Sequence, residues 1–199
     1  EKYLIKKDDD FVKAEIRYLN NSYPINIRLK GDLTDHLDGN KWSYRVKVRK
    51  GKKFLGMSEF SLQSPKMREY LNEFVFHSLL AYQKLPFLRY KFMPLKINGT
   101  SYGIYALEEH FSKESIENSQ LRESVVFKIS ESDIWSHAHK MQKILPKDQS
   151  VYLFSTFNSE YKPFNKNSTF QDESNLTKYS SAVKLLDDFL SRTKKTSEV

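Results

Sequence analysis

The sequence predicts an α+β fold: a mainly antiparallel sheet with one long packed helix, then a loop-rich extension and a terminal helix. Three observations carry this. Short stretches alternate apolar and polar residues, at 11–19, 25–29 and 42–49. Asn98-Gly99 separates two strand-like runs, the strongest short hairpin signal. A single long stretch at 65–82 repeats its apolar residues with helical spacing.

In residues 11–19, Val12, Ala14, Ile16 and Tyr18 share one face. Asn20-Asn21-Ser22 reads as a turn, and Ile25, Ile27 and Leu29 resume the alternation before Gly31. Trp42, Tyr44, Val46 and Val48 then face one way, while Lys41, Ser43, Arg45, Lys47 and Arg49 face the other. Lys50-Gly51-Lys52 is a turn signal, with Lys53-Phe54-Leu55 as a candidate return strand. Ser64-Pro65 opens the long helix with a capping serine and a proline at the first helical position. Leu71, Phe74, Val75, Ser78, Leu79 and Tyr82 fall on its inward face.

Residues 90–97 and 100–107 form the hairpin around Asn98-Gly99. Ser112 can cap a short helix carrying Ile116. Val125–Ile129 reads as a buried strand, 155–181 as a long Ser/Asn/Thr/Lys-rich loop, and 180–192 as a helix. The expected division is a sheet-and-helix domain at 1–130 and an extension at 131–199.

Composition narrows the chemistry. With 39% hydrophobic and 14% aromatic residues over 199 positions, a packed core is expected. No cysteine is present, which excludes disulfides, thiolate catalysis and cysteine-ligated zinc and leaves the compartment open. No apolar run approaches the roughly 18 residues of a membrane span. The net charge of +8 favours anionic partners or a solvated basic surface. Nucleic acid is not expected, because the basic residues are not interleaved with aromatics in a recognition motif. Neither Gly-x-Ser-x-Gly nor a glycosidase-type carboxylate pair occurs. His137-x-His139 lacks an acidic or cysteine partner at ligand spacing and reads as a surface pair.

Five segments in order resemble the spore-coat protein H (CotH) kinase family. They are Arg28-Leu-Lys-Gly31, Lys41-Trp-Ser-Tyr-Arg-Val-Lys-Val48, Gly56-Met57 with Phe60-Ser-Leu62, Asn98–His110 with Lys113, and Phe127-Lys128. The resemblance implies a protein-kinase-like N-lobe that binds ATP with Mg²⁺ in a full-length parent and acts on a protein substrate. It also implies a cell-surface, spore-coat or exported setting. The family's catalytic aspartate lies in an Asp-x-x-x-x-Asn-like loop. No aspartate after residue 129 has Asn five positions later. The expectation is therefore a chain cut before the catalytic aspartates and inactive alone. The rival reading is a non-catalytic basic module that binds a protein or polyanion.

The resemblance implies nucleotide contacts at Arg45, Lys47, Glu109, Tyr105 and Lys128. Arg45 and Lys47 leave the same face of a strand, so both can reach phosphate oxygens. They equally suit the wet face of an edge strand. Glu109 matches the family's acid before His or Gln and also suits the first turn of a helix. Tyr105 borders the adenine or fills the core, and Lys128 is a cleft cation or a strand-edge lysine. Glu73 is a candidate ion-pairing acid on the long helix, although its spacing points it away from the apolar face.

Overall fold

A computed structural model describes residues 10–31, 34–37, 39–121, 125–129, 161–164 and 169–191. The chain divides into two compact units, Glu1–Glu123 and Ser124–Val199.

The first unit is built on a six-stranded antiparallel sheet. Its strands are β1 (Val12–Tyr18), β2 (Asn21–Leu29), β3 (Tyr44–Val48), β4 (Glu59–Gln63), β5 (Tyr90–Ile97) and β6 (Thr100–Glu109), in the spatial order β1-β2-β3-β4-β6-β5. Period-two alternation gives the sheet one apolar and one polar face. Ile25, Val46, Phe60, Leu62, Tyr105 and Leu107 make the apolar face, completed by Phe54 and Met57 from the β3–β4 connection. Tyr18 and Tyr23 meet Phe54 edge-on, with ring centroids 5.4 and 5.2 Å apart. Fully buried side chains such as Phe60 each stabilise the unit by about 1.5–3 kcal/mol.

The hairpins at β1–β2 and β5–β6 match expectation. Asn98 and Gly99 both take positive φ, +50° and +86°, which suits a two-residue turn. The β1–β2 turn falls one position early, at Leu19-Asn20, and Asn21 and Ser22 join β2.

The β3–β4 connection corrects the expected strand at 53–55. Phe54 bridges Met57 in a tight turn, and the returning strand is Glu59–Gln63. A Cβ on Gly56, which has φ +83°, would lie 2.2 Å from Arg89 Nη1. The guanidinium of Arg89 crosses where a side chain would stand, which accounts for glycine in this segment.

The helix expected at 65–82 is broken. Pro65–Arg68 forms a 3-10 turn, Glu69 and Tyr70 adopt φ of +49° and +59°, and α1 runs Asn72–Tyr82. Left-handed backbone costs roughly 1–2 kcal/mol per residue, so tertiary contacts must hold it. One such contact is Arg68, which the turn delivers to Glu108 at 3.8 Å. The face of α1 that meets the sheet also differs. His77 is buried against Tyr90 and Phe74 rests on Phe92, whereas Leu71, Val75, Leu79 and Tyr82 stay exposed. Apolar residues surround α1, so spacing alone did not reveal which side the sheet covers. A short helix, α2 (Lys113–Asn118), follows Ser112, whose N–H donates to Ser115 Oγ at 2.9 Å.

In the second unit, β7 (Phe127–Ile129) pairs antiparallel with β8 (Tyr161–Pro163), and α3 spans Glu173–Leu190. Both β8 and the start of α3 fall inside the stretch expected to be a loop. Asp172 caps α3 by accepting the Asn175 N–H at 2.9 Å. Tyr179 Oη donates to the Tyr161 carbonyl at 2.6 Å, and Phe127 packs edge-on against both rings. His137 and His139 lie outside the described residues. Among the described residues no helix is long and apolar enough to cross a membrane.

Candidate functional site

The polar face of the sheet carries a continuous row of functional groups. Arg28 stands opposite Arg45, Arg45 opposite Ser61, Ser61 opposite Glu108 and Glu108 opposite Tyr90, one residue from each of five adjacent strands. Lys30 extends β2 on the same face, its N–H donating to the Ser43 carbonyl at 2.8 Å. Lys47 and Glu59 form the next row.

Glu108 is the centre of this face. Its Oε2 accepts from Gln63 Nε2 at 2.6 Å and lies 3.4 Å from Lys30 Nζ and 3.8 Å from Arg68 Nε. Lys30 also donates to Gln63 Oε1 at 3.1 Å, so lysine, amide and carboxylate close a ring of contacts. Burial pulls the Lys30 ammonium below the usual lysine range; Glu108 opposes this, while Arg68 and Arg45 add to it. Burial likewise lowers Arg45, with Glu59, 3.7 Å from its Nε, opposing. His110 is pushed down by burial first and by Arg45 second.

Cations outnumber acids here. Arg28, Lys30, Arg45, Lys47 and Arg68 face Glu59 and Glu108, an excess suited to an anion. Phe11 sits over the outer part of the face, with Lys47 Nζ 4.7 Å and Arg28 Cζ 5.0 Å from its ring centre. Glu73, on α1, lies 3.3 Å from His77 Nε2 and, among the described residues, is not paired with a strand cation.

Of the five residues expected to act together, four belong to the first unit, whose sheet divides them between its two faces, and Lys128 belongs to the second. Arg45 and Lys47 share the polar face, as their spacing requires, although Arg45 turns to Glu59 and Lys47 to Phe11. Glu109 lies on the apolar face, opposite Phe60, and its side chain is 1% exposed. It accepts from Arg89 N–H and Nε at 3.0 Å each and from Nη2 at 2.5 Å, a buried clamp on the start of β5. Tyr105 takes the core alternative. It is fully buried in the core, with its hydroxyl donating to the Trp42 carbonyl at 3.1 Å. Both follow from parity, since Tyr105, Leu107 and Glu109 leave β6 on one side. Lys128 lies on β7 of the second unit, opposite Lys162.

Sequence reasoning preferred Glu109 to Glu108 and gave no site role to Lys30, Gln63, Arg68 or Tyr90. Two signals were available. Lys30 lies within the Arg-Leu-Lys-Gly segment, and Glu108 shares the parity of the row that includes Ala106. Among the described residues no group of three or more His, Asp or Glu side chains is placed to hold a metal ion.

Fold and face together define an α+β protein whose sheet presents a cation-rich surface suited to anions. Residues 27–198 match the family model described as CotH kinase protein, and the chain belongs to that family. The match takes in α1, the whole polar row and most of both units; Phe11, β1 and the first part of β2 precede it. No curated protein matches the chain.

Proposed function

We propose that this chain forms the nucleotide-binding part of a CotH-type protein kinase, a family member acting by ATP-dependent phosphoryl transfer to protein. The sheet and α1 play the part of a kinase N-lobe. Phosphoryl transfer needs positioned cations along the polyphosphate more than covalent help from the protein. Lys30, Arg45 and Arg68 supply them on one face, and Gln63 and Glu108 hold Lys30 in place. The observation that carries the reading is this Lys30–Gln63–Glu108 ring, set among excess cations in a chain of the CotH kinase family. The described residues suit a phosphate group; they do not form a ligand set for the family's Mg²⁺. These residues orient the phosphates and neutralise their charge, and none of them is assigned as a catalytic base.

The test is titration of the 199-residue chain at low salt with ATP, tripolyphosphate and adenosine. The proposal expects ATP and tripolyphosphate to bind and adenosine to bind far more weakly. Equal binding of adenosine and ATP would remove the phosphate face from the account.

A second reading, a non-catalytic module for a protein partner, is favoured by the exposed apolar residues of α1, Tyr82 at 81% among them. Under that reading neither phosphate compound binds, and Leu79→Glu, on α1, abolishes partner capture.

A further inference from the structure

Among the described residues, three buried side-chain atoms lack a hydrogen-bond partner: Arg28 Nε, His77 Nε2 and Tyr90 Oη. All three are on the polar side of the sheet. Arg28 stands in the row beside Arg45, Tyr90 stands opposite Glu108, and His77 stacks on Tyr90 with ring centres 6.3 Å apart. All three can donate. His77 Nδ1 accepts the Leu88 N–H at 3.2 Å, so the proton of the neutral ring sits on Nε2.

Two of these have partial compensation. Glu73 Oε1 lies 3.3 Å from His77 Nε2, and Arg28 donates through Nη1 to the Leu29 carbonyl at 3.0 Å. The Tyr90 O–H has no acceptor, although the residue is only 7% exposed; the Gln63 side chain beside it lowers the phenol pKa, as a donor to the phenol oxygen does, and takes no proton from it. Two acceptor atoms of the same face are engaged elsewhere. Glu108 Oε2 takes Gln63 and Lys30, and Gln63 Oε1 takes Lys30. Phenylalanine would fill the same space without stranding a hydroxyl, a penalty of the kind that native structures keep for a reason.

We propose that Tyr90 is a ligand-contacting residue whose hydroxyl donates a hydrogen bond to a phosphate oxygen of the nucleotide held by Lys30 and Arg68. This rests on the nucleotide-binding reading above. The position fits, since Arg68 and Tyr90 both border Glu108. Burial first, then Glu108 and Glu73, push the phenol up to about 12, so it remains a donor at neutral pH.

The test is Tyr90→Phe in the full 199-residue chain, titrated with ATP and with tripolyphosphate, alongside the melting temperature without ligand. A residue with a merely structural hydrogen bond loses stability when truncated to Phe. A stranded donor loses ligand affinity and keeps or gains stability. Affinity for both compounds should fall about tenfold, as for a hydrogen bond to a charged group, and the melting temperature should hold or rise. Undiminished binding by Tyr90→Phe, with binding lost in Lys30→Met, would overturn the role of Tyr90 and leave the nucleotide reading standing. A melting temperature lowered by several degrees would assign the hydroxyl a structural partner and overturn the proposal. Absence of binding by the wild-type chain to either compound would overturn both.

Discussion

Glu108 and Glu109 are neighbours in sequence and lie on opposite faces of the sheet, one holding Lys30 and Gln63, the other closed around Arg89. The first belongs to the candidate site and the second to the core. Their separate duties divide the effects of substitution.

Glu109→Ala leaves the half-buried Arg89 guanidinium unpaired and should destabilise the fold by about 3–5 kcal/mol. Lys30→Met should lower ATP affinity at least tenfold, roughly the loss of one charge-assisted contact, with a small change in stability. Chemical denaturation and ATP titration of both variants check this. An account with Glu109 in the site expects Glu109→Ala to abolish binding at unchanged stability.

Gly56→Ala should act through Arg89. The new methyl meets the guanidinium at a position with φ +83°, so either the turn or the Arg89–Glu109 clamp must give. A loss of roughly 1–3 kcal/mol is expected, seen as a lowered denaturation midpoint. Unchanged stability would mean that Arg89 moves aside without cost.

Much of this architecture was legible in sequence. Alternation around Tyr44–Val48 and the Asn98-Gly99 turn placed three strands, and the same parity already grouped Glu109 with Tyr105 and Leu107. The contact between Lys30 and Glu108 was not legible. It joins residues 78 positions apart, and local pattern does not encode which strands become neighbours. The break at Glu69-Tyr70 was hidden for a related reason. No glycine or proline marks it, and long-range contacts such as Arg68 to Glu108 hold it. In the second unit, Asp172 three residues before Asn175 was a readable cap, masked by the polar composition around it.

The pH dependence of binding should reveal Lys30. Burial lowers its folded-state pKa, so its charge is lost as pH rises through a value below the ordinary 10.5. ATP binding should therefore weaken on the alkaline side with a midpoint below that of a free lysine. Tyr90, pushed up to about 12, stays protonated over that range. Lys30→Arg should bind ATP across the same range, because arginine keeps its charge. A profile identical in the two proteins would dissociate Lys30 from the effect.

If catalysis in this family rests on the Asp-x-x-x-x-Asn loop, the 199 residues alone should not transfer phosphate. No aspartate after residue 129 stands in the Asp-x-x-x-x-Asn spacing that the family resemblance implies for the catalytic loop. Incubation of the purified chain with labelled ATP and Mg²⁺ should leave no label on it or on added acceptor protein. Autophosphorylation would place catalytic groups within these residues.

The central claim is that phosphate binds on the polar face of the sheet. Backbone amide chemical-shift mapping during ATP addition tests it residue by residue. The largest shifts should fall on Lys30, Arg45, Gln63, Arg68, Tyr90 and Glu108, with little change at Tyr105, Leu107 or the exposed side of α1. Shifts centred on Leu71, Val75, Leu79 and Tyr82, or no saturable shifts at the polar row, would contradict it.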